Sequence, residues 1–133
     1  MTHLLDTNIA IGLIKNVPQI FEHLSRLNLD DVAISAITEA ELRYGAEKSA
    51  QPARNHAALD RFLIAIPSKP FDSACVREYG KIRAALEKKG TPIGSMDTLI
   101  AAHALALRVT LVTSNTKEFQ RVPGLVLENW SRR

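Results

Sequence analysis

The stretch HLLDTNIAIGLI, residues 3 to 14, sets two leucines before Asp6, Thr7 and Asn8 and resumes its apolar run at Ile9. HLLD reads as a short buried strand, a compact apolar run ended by polar punctuation. NIAIGLIKN is helix or strand by pattern alone, and its place directly after a strand favours helix. Asp6 therefore stands at the carboxyl end of a first strand. An unpartnered carboxylate is costly to bury, so the rest of the chain has to supply partners for it.

VAISA at 32 to 36 is a second buried strand, and ITEAELRYGAEKSA at 37 to 50 is rich in helix formers. Pro18 opens a helix whose Ile20, Leu24 and Leu27 form one stripe. Asp30 and Asp31 make a turn. SAQPARN, 49 to 55, is the best surface loop; residues 56 to 63 continue as helix, and LIAIP at 63 to 67 reads as a third strand closed by Pro67 and Pro70. The longest helix runs from Asp72 to Lys89, with Cys75, Tyr79, Ile82 and Leu86 on one apolar face, and ends at Gly90. SMDTLIAAHALAL, 95 to 107, is apolar nearly all round and reads as a central helix with Ser95 as N-cap. VTLVT and LVLEN are two further strands.

Alternating strands and helices predict an α/β fold, a three-layer α/β/α sandwich around a central, mainly parallel sheet of about five strands. At 133 residues the chain is expected to form one domain, 1–133. Composition excludes disordered and fibrous classes, with 46% hydrophobic and 23% charged residues. Cys75 stands alone, so no internal disulfide forms. MTHLLDTN lacks the basic start and apolar core of a signal peptide, so a cytoplasmic location is expected. The window 99 to 112 carries His103 and Arg108 and is too short and polar for a membrane span. A net charge of +3 permits an anionic partner without requiring one.

In open parallel sheets, ligands bind beyond the carboxyl ends of the strands. Asp6 is there, and three more segments put oxygen donors in comparable places: Glu41 in the helix after the second strand, Asp97 in the first turn of the central helix, and Asn115 just after TLVT. Converging carboxylates repel unless a cation neutralises them, and an all-oxygen set suits Mg²⁺ or Mn²⁺. The lone cysteine and scattered histidines disfavour zinc. Each acid also has a structural reading. Thr38-x-x-Glu41 fits a capping box, Asp97 complements a helix dipole, Asn115 and Thr113 build a turn, and Glu39 and Glu118 are solvated. His103 lies roughly 240° round the helix from Asp97, which leaves it outside the site as a packing histidine.

Four motifs, LLDTNI at 4 to 9, SAITEAELRYG at 35 to 45, IGSMDTLIAAHA at 93 to 104 and LVTSNTKEF at 111 to 119, together resemble the PIN-domain ribonucleases, and closely the VapC toxins of bacterial VapBC toxin–antitoxin pairs. They span almost the whole chain in the family's order. The resemblance implies a PIN fold, an endoribonuclease dependent on Mg²⁺ or Mn²⁺, and a VapB-type antitoxin as partner. It maps Asp6, Glu41 and Asp97 as catalytic acids and metal ligands. Many PIN domains carry a fourth acid where this chain has Asn115; Asn115 itself is a further candidate ligand, and Glu118 another. Thr7, Asn8, Ser35, Thr38 and Thr113 are expected to orient the carboxylates, and Arg43, Arg77, Lys81 and Lys88 to hold RNA phosphates, although a solvated face explains the last three equally well. Structured RNA, transfer RNA above all and the anticodon region of the initiator tRNA as one candidate, is the implied substrate. A homodimer is expected.

Three other readings are weaker. A haloacid-dehalogenase-type phosphatase needs a second Asp where Asn8 stands, and a receiver domain needs a phosphoacceptor Asp where the chain reads IPSKP. The third is a catalytically lapsed, RNA-binding or regulatory PIN domain, against which the intact acids at 6, 41 and 97 speak.

Overall fold

A computed structural model describes residues 1 to 132. In chain order its elements are β1 (His3–Leu5), α1 (Thr7–Ile14), α2 (Pro18–Ser25), a 3₁₀ turn (Leu29–Asp31), β2 (Val32–Ser35), α3 (Ala36–Lys48), α4 (Pro52–Ala65), β3 (Ser68–Lys69), α5 (Ser73–Lys88), α6 (Ser95–Leu107), β4 (Thr110–Val112), α7 (Thr116–Phe119) and β5 (Leu127–Glu128). The strands form one five-stranded sheet in the order β3-β2-β1-β4-β5. Every pairing is parallel, and Leu5 lies level with Ile34 on one side and Val112 on the other.

The strand residues alternate between two cores, as the period-two pleat requires. Leu5, Val32, Ile34 and Val112 face a cluster with Ile9 and Leu13 of α1, Ile20 and Leu24 of α2, and Leu59 of α4. Leu4, Ala33 and Leu111 face the opposite cluster, built on Ile82 and Leu86 of α5, Ile100, Ala101 and Ala104 of α6, and Phe119. Helices thus cover both faces, and the three-layer expectation holds. Among the described residues no helix is long and apolar enough to cross a membrane.

Four expectations need correction. The run 63 to 67 is not a strand: α4 continues to Ala65, and β3 begins beyond Pro67, where Ile34 pairs with Ser68 and Ser35 with Lys69. A short apolar run does not distinguish helix from strand, and Pro67 has no N–H for a ladder. The loop expected at 49 to 55 shrinks, because Pro52 takes the first position of α4. Ser95 is the first residue of α6 and Gly94 is its cap, where the Gly94 carbonyl accepts both the Thr98 N–H and the Thr98 hydroxyl at 2.9 Å. LVLEN is strand only at Leu127 and Glu128.

Candidate active site

The order of the strands reverses at β1, which has β2 on one side and β4 on the other. Such a switch point leaves a crevice beyond the carboxyl ends of the strands. The next residue after β1 is Asp6, and the next after β4 is Thr113. Asp6 is 5% exposed and Thr113 is fully buried. The Asp6 backbone N–H continues the ladder to the Val112 carbonyl at 2.9 Å. Its side chain then turns into the crevice as the N-cap of α1, with Oδ1 accepting the Ile9 N–H at 3.0 Å. Oδ2 accepts the Thr113 hydroxyl. Thr113 Oγ1 in turn accepts the Asn115 N–H at 2.9 Å, so a short relay runs from the loop after β4 to the first acid.

Glu41 arrives on α3, the helix that leaves β2. Thr7 Oγ1 donates to Glu41 Oε1 at 2.6 Å, with Thr38 Oγ1 3.3 Å away. The capping-box reading of Thr38 and Glu41 is not realised: Ser35 caps α3, its Oγ accepting the Ile37 N–H at 3.0 Å, and Thr38 is buried one turn inside. Asp97 sits in the first turn of α6. Glu118, read as solvated from its residues and as a candidate ligand from the resemblance, faces Asp97 from α7, held by Asn115 Nδ2, which donates to Glu118 Oε2 at 3.0 Å. Asn115 therefore spends its amide on positioning the fourth carboxylate. The signal in the sequence was Asn115-x-x-Glu118, a spacing that one short helical turn closes.

The electrostatics follow from this crowding. Burial pushes the Asp6 carboxyl up, opposed by the Thr113 hydroxyl and the Ile9 N–H, with Glu41 raising it further. Asp97 is pushed up to about 6 by its own burial and by the nearby charges of Glu118, Asp6 and Glu41. Asp6, Glu41, Asp97 and Glu118 thus share one field. They do not share one coordination point: among the described residues no group of three or more His, Cys, Asp or Glu side chains closes into a ligand cage. Glu41 accepts from Thr7, and both Asp6 oxygens accept from protein donors. Mg²⁺ retains several waters and needs few protein ligands directly, so an all-oxygen acidic crevice of this kind fits it.

The other expected residues divide. Asn8 is exposed, and it is its main-chain N–H that supports Asp6. Ser35 touches no carboxylate; it caps α3 and meets His103. Arg43 is engaged with α4, its Nη2 2.6 Å from Asp60 Oδ1 and its Nη1 3.0 Å from His56 Nδ1. Arg77, Lys81 and Lys88 are exposed on α5, and Lys81 lies 3.7 Å from Glu78.

Residues 3 to 125 match the family model described as PIN domain. Ribonuclease VapC2 of Rickettsia felis is 44% identical over 99% of this chain and 100% of its own length. The chain is a PIN-domain protein of the VapC family. A relative from Shigella flexneri, named tRNA(fMet)-specific endonuclease VapC, is 44% identical to this VapC-family chain over 96% of it and 97% of the relative. Among solved structures, VapBC2 from Rickettsia felis bound to a promoter DNA fragment superposes with a TM-score of 0.91 at 44% identity, covering 98% of this chain and 99% of that one. DNA-bound VapBC from Salmonella typhimurium gives 0.92 at 42% identity and 98% coverage of both chains. PIN-domain nucleases in general depend on a divalent metal, which agrees with the acidic crevice of this VapC-family fold.

Proposed function

We propose that this chain is a metal-dependent endoribonuclease toxin that hydrolyses phosphodiester bonds in structured RNA and is neutralised by a VapB-type antitoxin. The observation that carries the reading is the gathering of Asp6, Glu41, Asp97 and Glu118 at the sheet's switch point, where burial and then the neighbouring acids push the Asp97 carboxyl up to about 6. Zinc and copper prefer nitrogen or sulfur donors, whereas carboxylates alone suit Mg²⁺ or Mn²⁺. Asp6, Glu41 and Asp97 would hold the ion, with Glu118 as the fourth acid and Asn115 acting through it. When bound, such an ion supplies a water of lowered pKa and positive charge for the oxygens of the pentacoordinate phosphorus. The chain's own part is positional. Thr113 and the Ile9 N–H fix both oxygens of Asp6, Thr7 orients Glu41, and the N-terminus of α6 places Asp97.

The substrate class follows from the relatives named as tRNA(fMet)-specific endonucleases, so initiator tRNA is the first RNA to test. The solved VapBC complexes support the antitoxin. A groove of about 260 Å³ between α1, α3 and α4, lined by Ile11, Ile14, Leu42 and Leu59, opens beside Glu41 and would take the apolar part of its tail. No feature of the crevice favours the lapsed, non-catalytic reading. The test is to incubate the purified chain with initiator tRNA and a panel of other tRNAs plus Mg²⁺ and to map the new RNA ends. A defined internal cut is expected; no cleavage of any RNA in the panel contradicts the reading.

A further inference from the structure

His103 is fully buried on α6. Its Nδ1 lies 2.7 Å from Ser35 Oγ, its Nε2 has no hydrogen-bond partner, and its ring packs edge-on against Phe71 with centroids 5.5 Å apart. A leucine would fill such a place without leaving a buried polar atom unpaired, which is costly. The one polar service the ring performs is to Ser35, and Ser35 is the N-cap of α3.

Proton counting orders this contact. Ser35 Oγ already accepts the Ile37 N–H at 3.0 Å, and burial keeps the imidazole neutral by pushing its pKa down. If Nδ1 carried the ring proton and donated to Ser35, two groups would be stranded: the Ser35 hydroxyl proton and the Nε2 lone pair. If Ser35 donates to Nδ1, only the Nε2 N–H is left. The second arrangement strands less and forms a chain from Ile37 N–H through Ser35 O–H to His103 Nδ1.

This chain ties α3 to α6, and the two helices carry Glu41 and Asp97. Glu41 lies six residues from Ser35, and Asp97 six residues from His103, about 9 Å of helix in each case. The bond therefore joins the start of one acid-bearing helix to the body of the other. We propose that His103 is a positioning residue, holding Ser35 and the start of α3 so that Glu41 and Asp97 meet one divalent cation. The inference rests on the metal reading given above.

The test measures Mn²⁺ uptake directly, by the thermal shift of the full-length protein across a Mn²⁺ titration, in wild type, H103L, H103N, S35A, S35A/H103L and D97N. H103L removes the bond. H103N keeps an amide group near the position of Nδ1. We expect H103L to raise the half-saturating Mn²⁺ concentration about tenfold, the lower end of what losing a partner behind a metal ligand costs. H103N should stay within about threefold of wild type, and S35A/H103L should lose no more than S35A alone. Folded H103L with wild-type Mn²⁺ affinity overturns the proposal, and so does equal loss in H103N and H103L, which would assign the effect to ring shape. D97N separates the two levels. If D97N takes up Mn²⁺ like wild type, the metal reading itself fails; if D97N loses affinity and H103L does not, only the positioning role fails. Imidazole ¹⁵N NMR of the wild-type protein gives a check that no variant's folding affects, with a neutral ring protonated at Nε2 supporting the chain and one protonated at Nδ1 refuting it.

Discussion

Thr113 donates its hydroxyl to Asp6 Oδ2 although 107 positions separate the two residues in the chain. The contact exists because β1 and β4 are adjacent parallel strands that end level, Leu5 beside Val112. It supplies a donor to a buried carboxylate whose desolvation is otherwise uncompensated on that side.

Thr113→Val removes that donor and also the acceptor for the Asn115 N–H, at nearly constant volume. RNA cleavage at limiting Mg²⁺ is expected to fall about tenfold, with Thr113→Ser recovering most of it. Valine with wild-type cleavage would show that Thr113 does not orient Asp6.

The Asp97 carboxyl is raised to about 6 from an ordinary 3.8. A raised acid binds more protons folded than unfolded between those values, so its stability contribution is present in full below about 3.8 and is lost as pH rises through about 6. In the metal-free protein Asp97→Asn should therefore raise the melting temperature at pH 7.5, and the advantage should shrink to roughly half by pH 5. Comparing variant with wild type is needed because buried His103, shifted down, acts oppositely in that window: the unfolded chain takes up its proton first. A constant difference between the two proteins from pH 7.5 to 5 would mean that Asp97 does not titrate there.

Much of this site was legible in the residues. LLDTN placed Asp6 at a strand end, and alternation of strands and helices gave the layers, since period-two and helical apolar patterns survive in local sequence. What was not legible depends on contacts between distant segments. Glu118 looks solvated in sequence because the turn of Asn115 and the approach of α6 bring it to Asp97 only in the fold. Ser35 reads as one more polar residue beside the site, and its buried partner His103 lies 68 positions away. The misplaced third strand came from LIAIP, whose first three residues complete α4, with Leu63 half-buried and Ile64 exposed, while the buried Ile66 caps the helix end.

Arg43 also changes meaning. Its ion pair with Asp60 at 2.6 Å, with side chains 33% and 64% exposed, ties α3 to α4. Arg43→Ala should cost about 0.5 to 1 kcal/mol of stability and leave the salt dependence of RNA binding unchanged. Charge-neutral Arg77, Lys81 and Lys88 variants should each lower the slope of log affinity against log salt by about 1 if they hold phosphates. Filter binding across a salt series reads both, and a reduced slope in Arg43→Ala would return that residue to the RNA interface.

The groove beside Glu41 leads an inhibitor toward the acids. A tail with an Arg or Lys would pair with Asp6, Glu41 or Asp97 while its apolar residues lie against Ile11, Ile14 and Leu42. Cleavage at fixed chain and tail concentrations, across a Mg²⁺ titration at constant ionic strength, should show inhibition that weakens as Mg²⁺ rises. Inhibition independent of Mg²⁺ would point to steric blocking of the RNA path.

Asp6 is proposed to belong to a metal-holding acid cluster that cuts RNA, and Asp6→Asn removes its charge alone. Asn caps a helix as well as Asp does, and the substitution removes a charge whose pKa burial has already raised, so the metal-free melting temperature should be unchanged or higher. Cleavage of initiator tRNA and the Mn²⁺-induced rise in melting temperature should be measured on the same preparations, with and without chelator. Wild type is expected to show both and to lose both in chelator. Asp6→Asn should fold, lose more than about a hundredfold in cleavage, beyond the loss of an outer partner, and take up Mn²⁺ far more weakly. Folded Asp6→Asn with wild-type cleavage, or wild-type cleavage that persists in chelator, would contradict that proposal.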